Sequence, residues 1–430
     1  MGKIREFSIQ LHNNAASVYY PGQIITGIVV MDLISAVKIR YIWVEIAGRS
    51  VTKVPLSNRG SNRSQWLADF VTQRDCFIDE KKVLWDGTRN ENLQLGSGRH
   101  ELDFAFPLPC HYLPSSYEGG KCCNIRYLIL ARICRPWKMD YVTKTAFTVL
   151  EMVDINRPEL TQPSPEIEKE KTITSCGGCQ SAKYLKLNAY IRRCGYCPGE
   201  RMTFTASVEN CHKIRLLCIH AKLQQVVEYY AKGFSDQYCK SYAEIYYRGE
   251  SLHGQLFDWD NQSITIPSIP PTSTSFCSIR ISYELKITLD ISKRKTLSVV
   301  IPVVIGTIPY CPSPALNPYN IRPPPAYADI NHYYECNYHP SNRVVRPSFP
   351  PVYQESIDGR INLQDSSDED REVTCQLEFA PQYPVASDIE YQQSQTSTIQ
   401  ENSEARLSLQ DIDSSIHLLT LRRTRPSNSS

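Results

Sequence analysis

Up to residue 309 the chain is written in alternation, with Leu102, Phe104 and Phe106 on one phase and Ile125, Tyr127, Ile129 and Ala131 on another. Period-two alternation puts every second side chain on one face of an extended strand. Between residues 3 and 150, runs rich in Val, Ile, Tyr and Phe are cut by Pro21-Gly22, residues 58–60, Asp86-Gly87, residues 96–98 and Gly119-Gly120. Short strands separated by such turn signals predict an antiparallel β-sandwich over residues 1–153. Residues 154–183 change character, with Pro158, Pro163, Pro165 and a charged run at 166–171, and predict a polar linker. Strand patterns resume at Tyr184 and continue through 226–230, 245–247, 264–266, 279–291 and 297–305, which predicts a second sandwich over 184–309. No stretch of residues 3–150 sustains a helical period, and with a second run of strands after it the fold class is all-β.

The two halves follow one plan. Tyr19, Tyr20, Pro21, Gly22 and Gln23 precede a strand in the first half, as Tyr196, Cys197, Pro198, Gly199 and Glu200 do in the second. Asn124, Ile125, Arg126 and Tyr127 open a long strand, and Ser278, Ile279, Arg280, Ile281, Ser282 and Tyr283 open its counterpart. A repeat of this length is too long for a solenoid and fits two tandem domains.

After residue 309 the pattern stops. Residues 310–430 are rich in Pro, Tyr, Ser, Gln and Asp, with few apolar clusters, and predict a disordered tail. Within it lie Pro324, Pro325, Ala326, Tyr327 and Pro350, Pro351, Val352, Tyr353, each reading P-P-x-Y. Two consecutive prolines hold the chain in an extended polyproline II ridge that costs little entropy to dock. Grooves lined by aromatic rings, as in WW domains, take the prolines on the rings and the tyrosine in a side pocket. So Pro- and Tyr-rich a stretch would supply one such copy by chance far more readily than two. About 26 flexible residues between the tyrosines span roughly 25–30 Å, a reach that suits two linked WW domains. Ser366 and Ser367, inside an acidic run, are candidates for phosphorylation, and Leu409, Ile412, Ile416 and Leu419 fall at helical spacing.

Composition narrows the remaining classes. The 430 residues carry a net charge of +2 with no dense basic block, which gives no footing for nucleic-acid binding. The first residues lack the apolar core of a signal peptide, and the apolar run near 297–308 is too short to span a bilayer, so a cytoplasmic chain is expected. The 16 cysteines then point to packing, metal, lipidation or thiol exchange before disulfides. Cys176-x-x-Cys179 and Cys194-x-x-Cys197 approach zinc-ribbon spacing. Four thiolates reach one ion only if a hairpin separates the pairs. Here Leu185, Leu187, Ala189 and Ile191 alternate as one strand, which holds the pairs roughly 30 Å apart. No metal and no cofactor is expected. The thiol-exchange reading lacks the helix N-terminus that activates such a pair, while palmitoylation of the same linker cysteines remains open. There is no P-loop, no H-E-x-x-H and no G-x-S-x-G, so no enzyme is expected.

The run Gly98, Arg99, His100, Glu101, Leu102, then Leu108-Pro109 and residues 113–119, resembles the N-terminal domain of the α-arrestins, the arrestin-domain-containing proteins. Arg135-Pro136-Trp137 fits the same family. In the second half, residues 196–200, Glu209-Asn210-Cys211, Arg248-Gly249 with Ser251-Leu252, and residues 301–309 resemble its C-terminal domain. The resemblance implies two tandem arrestin-type, immunoglobulin-like sandwiches followed by a tail. It also implies a non-catalytic adaptor whose Pro324, Pro325, Tyr327, Pro350, Pro351 and Tyr353 recruit WW-domain HECT-type ubiquitin ligases. Its cargo would be the cytoplasmic regions of transmembrane receptors or transporters, with membrane association through that cargo at the plasma membrane and endosomes. By the same analogy Lys3 and Arg5 would help meet acidic or phosphorylated cargo tails, although solvated charges at a strand edge account for them more simply. Some relatives bind thioredoxin through a cysteine placed, on alignment, at Glu244 of this chain, so that partnership is not carried over. A retromer-like sorting scaffold independent of ligases, and a zinc or thiol-redox protein using Cys176 to Cys197, are the alternative readings.

Overall fold

A computed structural model describes residues 4–12, 16–56, 70–89, 94–110, 113–173, 183–273, 278–292, 295–310, 352–363, 372–373 and 378–386. The first sandwich sets a sheet of Ile4–Leu11, Ile24–Leu33 and Gly98–Pro107 against a larger one. The larger sheet runs Val18–Tyr19, Tyr141–Val149, Cys123–Cys134, Tyr41–Pro55 and Phe70–Asp86. Its centre, Cys123–Cys134, alternates strictly, burying Ile125, Tyr127, Ile129, Ala131 and Ile133. This is the pattern read from the sequence, because one face packs on the core and the other meets polar surroundings.

The second sandwich repeats the plan of the larger sheet. Gly195–Tyr196, Lys295–Ile305, Ile279–Ser292, Cys218–Ala231 and Phe234–Tyr247 stand in the same sheet order as their counterparts, each sheet opening on a short parallel pairing. The two Pro-Gly turns match in detail. Gly22 and Gly199 adopt positive φ of 84° and 88°, the conformation a type II turn needs after proline. The Tyr20 amide donates to Gln23 Oε1 at 2.8 Å, and the Cys197 amide to Glu200 Oε2 at 2.9 Å. Tyr127 donates to the Pro114 carbonyl at 2.7 Å and Tyr283 to the Pro270 carbonyl at 2.6 Å, each tying a central strand to the loop before it.

One expectation is revised. The charged run expected in the linker forms a strand, Ile167–Ile173, that pairs antiparallel with Lys183–Ile191 and adds an edge the first sandwich lacks. Glu168, Lys169 and Glu170 are exposed along it, and a charged edge resists pairing with another chain. The tail expected after residue 309 lies mostly outside the described residues, and within the described part only short segments pair. Val352–Glu355 pairs antiparallel with Gln382–Val385, and Ile361–Asn362 with Glu378–Phe379, making a hairpin, while Glu372–Val373 lies parallel to Tyr141–Val149. Low apolar content does not prevent order here, because the hairpin borrows a core from the sandwiches. The predicted helical spacing near 409–419 and the acidic serines lie outside the described residues. Among the described residues no helix is long and apolar enough to cross a membrane.

One apolar cluster runs through both sandwiches, and polar groups cross between them. Asp75 accepts from Ser50 Oγ at 3.0 Å and from the Ser278 hydroxyl, and Thr52 Oγ1 donates to the Tyr230 carbonyl at 2.7 Å. Deeper in, Tyr117 donates to Gln225 Oε1 at 3.2 Å while Gln225 Nε2 donates to the Tyr283 hydroxyl at 2.7 Å. Burial pushes the Tyr117 and Tyr283 hydroxyls far above the ordinary tyrosine range, so both remain donors.

Candidate functional site

Of the six residues assigned to docking, Pro324, Pro325, Tyr327, Pro350 and Pro351 lie outside the described residues. Tyr353 does not, and the structure places it in the strand Val352–Glu355, folded against the body of the protein. Its seat begins at the first Pro-Gly turn. The Tyr353 and Tyr20 hydroxyls lie 3.3 Å apart, and the Tyr353 ring packs on a small cluster of Val18, Tyr20, Leu150 and Tyr383. Burial pushes the Tyr353 hydroxyl up to about 12, against the lowering effect of the Tyr20 hydrogen bond. The second leg of the hairpin anchors deeper, with Tyr383 only 1% exposed and donating to the Ser116 carbonyl at 3.0 Å. The Gln382 amide donates to Thr148 Oγ1 at 3.0 Å.

The same hairpin holds the second sandwich. Ser268 Oγ donates to the Gln354 carbonyl at 3.0 Å, and the Ile357 amide donates back to the Ser268 carbonyl at 3.0 Å. Asp358 pairs with the Lys240 ammonium and accepts from the Tyr242 hydroxyl at 3.0 Å. Tyr242 also lies 3.3 Å from Gln225 Oε1, so Asp358 reaches the polar groups that join the two sandwiches. The hairpin therefore touches both domains at once. Sequence reasoning singled out Tyr353 for WW-domain docking alone, and gave no sign of this seat or of Tyr20, Thr148, Lys240, Tyr242, Ser268, Asp358 and Tyr383 as part of it. No local pattern marks them as one site.

The cysteine constellations resolve differently. Cys176 and Cys179 lie outside the described residues, so the four-cysteine set is only half in view. Cys194 and Cys197 flank the strand Gly195–Tyr196, and burial raises both thiols, Cys197 the more strongly. A thiol held protonated is a poor nucleophile and a poor ligand. A different trio does converge: Cys218, His220 and Asp290 bring their ligand atoms within 4.8 Å of one another. Cys218 donates to Asp290 Oδ2 at 3.2 Å, and His220 Nδ1 lies 3.6 Å from the same oxygen. Lys222 and Lys286 stand beside His220, and Arg248 beside Cys218. Glu244 also faces His220, and burial, the largest influence on both groups, favours the neutral thiol and the neutral imidazole beside the one Asp290 carboxylate. Elsewhere, Arg5 pairs with Asp32 at 2.8 Å, Lys3 lies outside the described residues, and Glu244 pairs with Lys222 at 3.2 Å.

Comparison with known proteins adds a second line. Residues 7–156 match the model of the arrestin (or S-antigen) N-terminal domain, and residues 181–310 that of the arrestin C-terminal domain. Arrestin domain-containing protein 17 of Caenorhabditis elegans is 32% identical over 318 residues, covering 72% of this chain and 72% of its own length. Arrestin domain-containing protein 4 of Homo sapiens is 29% identical over 313 residues, covering 72% of this chain and 73% of its own. Thioredoxin-interacting protein of Homo sapiens is 26% identical over 307 residues, 71% of this chain and 75% of its own.

Proposed function

The chain belongs to the arrestin-domain-containing, or α-arrestin, family, and on that premise we propose that it is a non-catalytic adaptor linking membrane-protein cargo to WW-domain HECT-type ubiquitin ligases. The relatives support an arrestin-type adaptor or trafficking role at the coarser level. The ligase link rests on one observation, the pair of P-P-x-Y copies that follow the second domain. The two sandwiches form the cargo platform and the tail carries Pro324, Pro325, Tyr327, Pro350, Pro351 and Tyr353 to the ligase. Tethering raises the local concentration of ligase near cargo lysines, so ubiquitination, endocytosis and endosomal sorting follow without chemistry by this chain. The protein works at the cytoplasmic face of the plasma membrane and endosomes, where its cargo brings it.

A peptide spanning residues 318–360, titrated against tandem WW domains, tests this reading. Tyr327→Ala and Tyr353→Ala each weaken binding, and the double change abolishes it. Equal binding of parent and double variant across several WW pairs removes the ligase link and leaves a sorting scaffold that acts without it.

A further inference from the structure

The hairpin gives Tyr353 a partner within its own chain. We propose that the seam between the two sandwiches is a docking site for the segment around Tyr353. While that segment is seated, the second P-P-x-Y copy is closed to a WW domain. The WW half of this statement rests on the function proposed above, whereas the seat itself rests on the hairpin contacts.

The two destinations of Tyr353 exclude each other on geometry. A WW groove takes a polyproline II ridge with the tyrosine ring inserted in a pocket. In the seated state residues 352–355 are a β-strand whose partner is Gln382–Val385, in the register Tyr353↔Pro384 and Gln354↔Tyr383. The Tyr353 ring already lies on the cluster beneath Tyr20. The Gln354 carbonyl is held by Ser268, and three residues farther the Ile357 amide returns to the same serine. A ring cannot fill both pockets, and this backbone cannot follow both paths. Binding at the second copy therefore requires the hairpin to leave the seam. Its apparent affinity is the intrinsic affinity reduced by the fraction of chains in which the hairpin is open.

The seat also has a lock outside the motif. Lys240 lies on Phe234–Tyr247 of the second sandwich and pairs with Asp358, five residues past Tyr353. Lys240 is partly exposed, so its charge can be reversed without burying a new group in the core. Reversal sets two carboxylates against each other where an ion pair stood, and it leaves every residue of the WW ligand untouched.

The test uses the full chain and a single WW domain, so that avidity between copies does not enter. In a Tyr327→Ala background, only the second copy remains. That chain is expected to bind at least about tenfold more weakly than a peptide of residues 340–360. Adding Lys240→Glu brings its affinity toward that of the peptide, and adding Asp358→Lys to that variant masks the copy again. Hydrogen exchange read at residues 352–355 follows the same order: protected in the parent, fast in Lys240→Glu, and protected once more in the charge swap. A cooperative thermal transition with a midpoint no lower than that of the chain truncated after residue 310 confirms that Lys240→Glu has released the hairpin without unfolding the sandwiches. Peptide-like affinity of the Tyr327→Ala chain, with unprotected exchange at 352–355, overturns the proposal. If the peptide itself binds no WW domain, the ligase reading fails, and the exchange series still decides whether the hairpin is seated and whether Lys240 locks it.

Discussion

Asp75 shows how a single carboxylate joins two domains. Burial works to raise its pKa, but hydrogen bonds from Ser278, Gln73 and Ser50 and from the Ser278 amide outweigh burial, and the result lies below the usual carboxylate range. A carboxylate lowered in the folded state stabilises the fold above its unfolded value of about 3.9, and that stabilisation is lost as pH falls through the lower, folded value. Asp75→Asn is therefore expected to weaken the protein at neutral pH, with the gap from the parent closing below about pH 4. Chemical denaturation across pH 3–7 reads this directly. A gap that stays constant over the range removes Asp75 from the pH response of the seam. The sequence offered no hint of this role. Asp75 is a polar residue in a strand, and Ser278, its main partner, is 203 positions away.

Within an element, the pairing of Gly48 with Tyr127 carries a sharper constraint. The two stand opposite each other on Tyr41–Pro55 and Cys123–Cys134, and a Cβ at Gly48 would sit 2.6 Å from the Tyr127 ring. The ring is hemmed in, since its hydroxyl is tied to the Pro114 carbonyl and the rings of Phe147 and Phe77 lie 5.8 Å and 6.5 Å away between centroids. Gly48→Ala is expected to destabilise the first sandwich by about 1–3 kcal/mol through overpacking. Tyr127→Phe cuts the tether and costs about 1 kcal/mol. Combined, the two should cost less than their sum, because the freed ring can yield to the new methyl group. Strict additivity in a double-mutant cycle would show that the tether does not hold the ring in place. Alternation alone identified this strand and its inward face. The need for glycine opposite the ring appears only once the register is known.

At the scale of the whole molecule, the hairpin covers apolar surface that neither sandwich covers for itself. Removing everything after residue 310 uncovers Val18, Tyr20 and Leu150, which now pack against Tyr383 and Tyr353. Loss of those two rings is expected to cost on the order of 2–4 kcal/mol, an upper estimate from buried area. The truncated chain should melt several degrees lower, and a peptide of residues 350–386 added in trans should recover part of the loss; an unchanged midpoint would mean that the hairpin lies on the surface without stabilising it. The sequence by itself determined the all-β class, the two sandwiches and their repeated plan, because alternation, Pro-Gly turns and strand openings are written in neighbouring residues. It also singled out Tyr353, as one of the residues expected to meet a WW domain. The edge strand Ile167–Ile173 was hidden by its charges, which suit a strand exposed on one side as well as a loop. The seat of Tyr353 was decided by tertiary structure alone. Tyr20 and Tyr353 are 333 positions apart, and Tyr383 returns beside Tyr353 only through pairing with no short turn between them. Each segment is too poor in apolar residues to order itself, and what orders them is the surface that two folded domains present together.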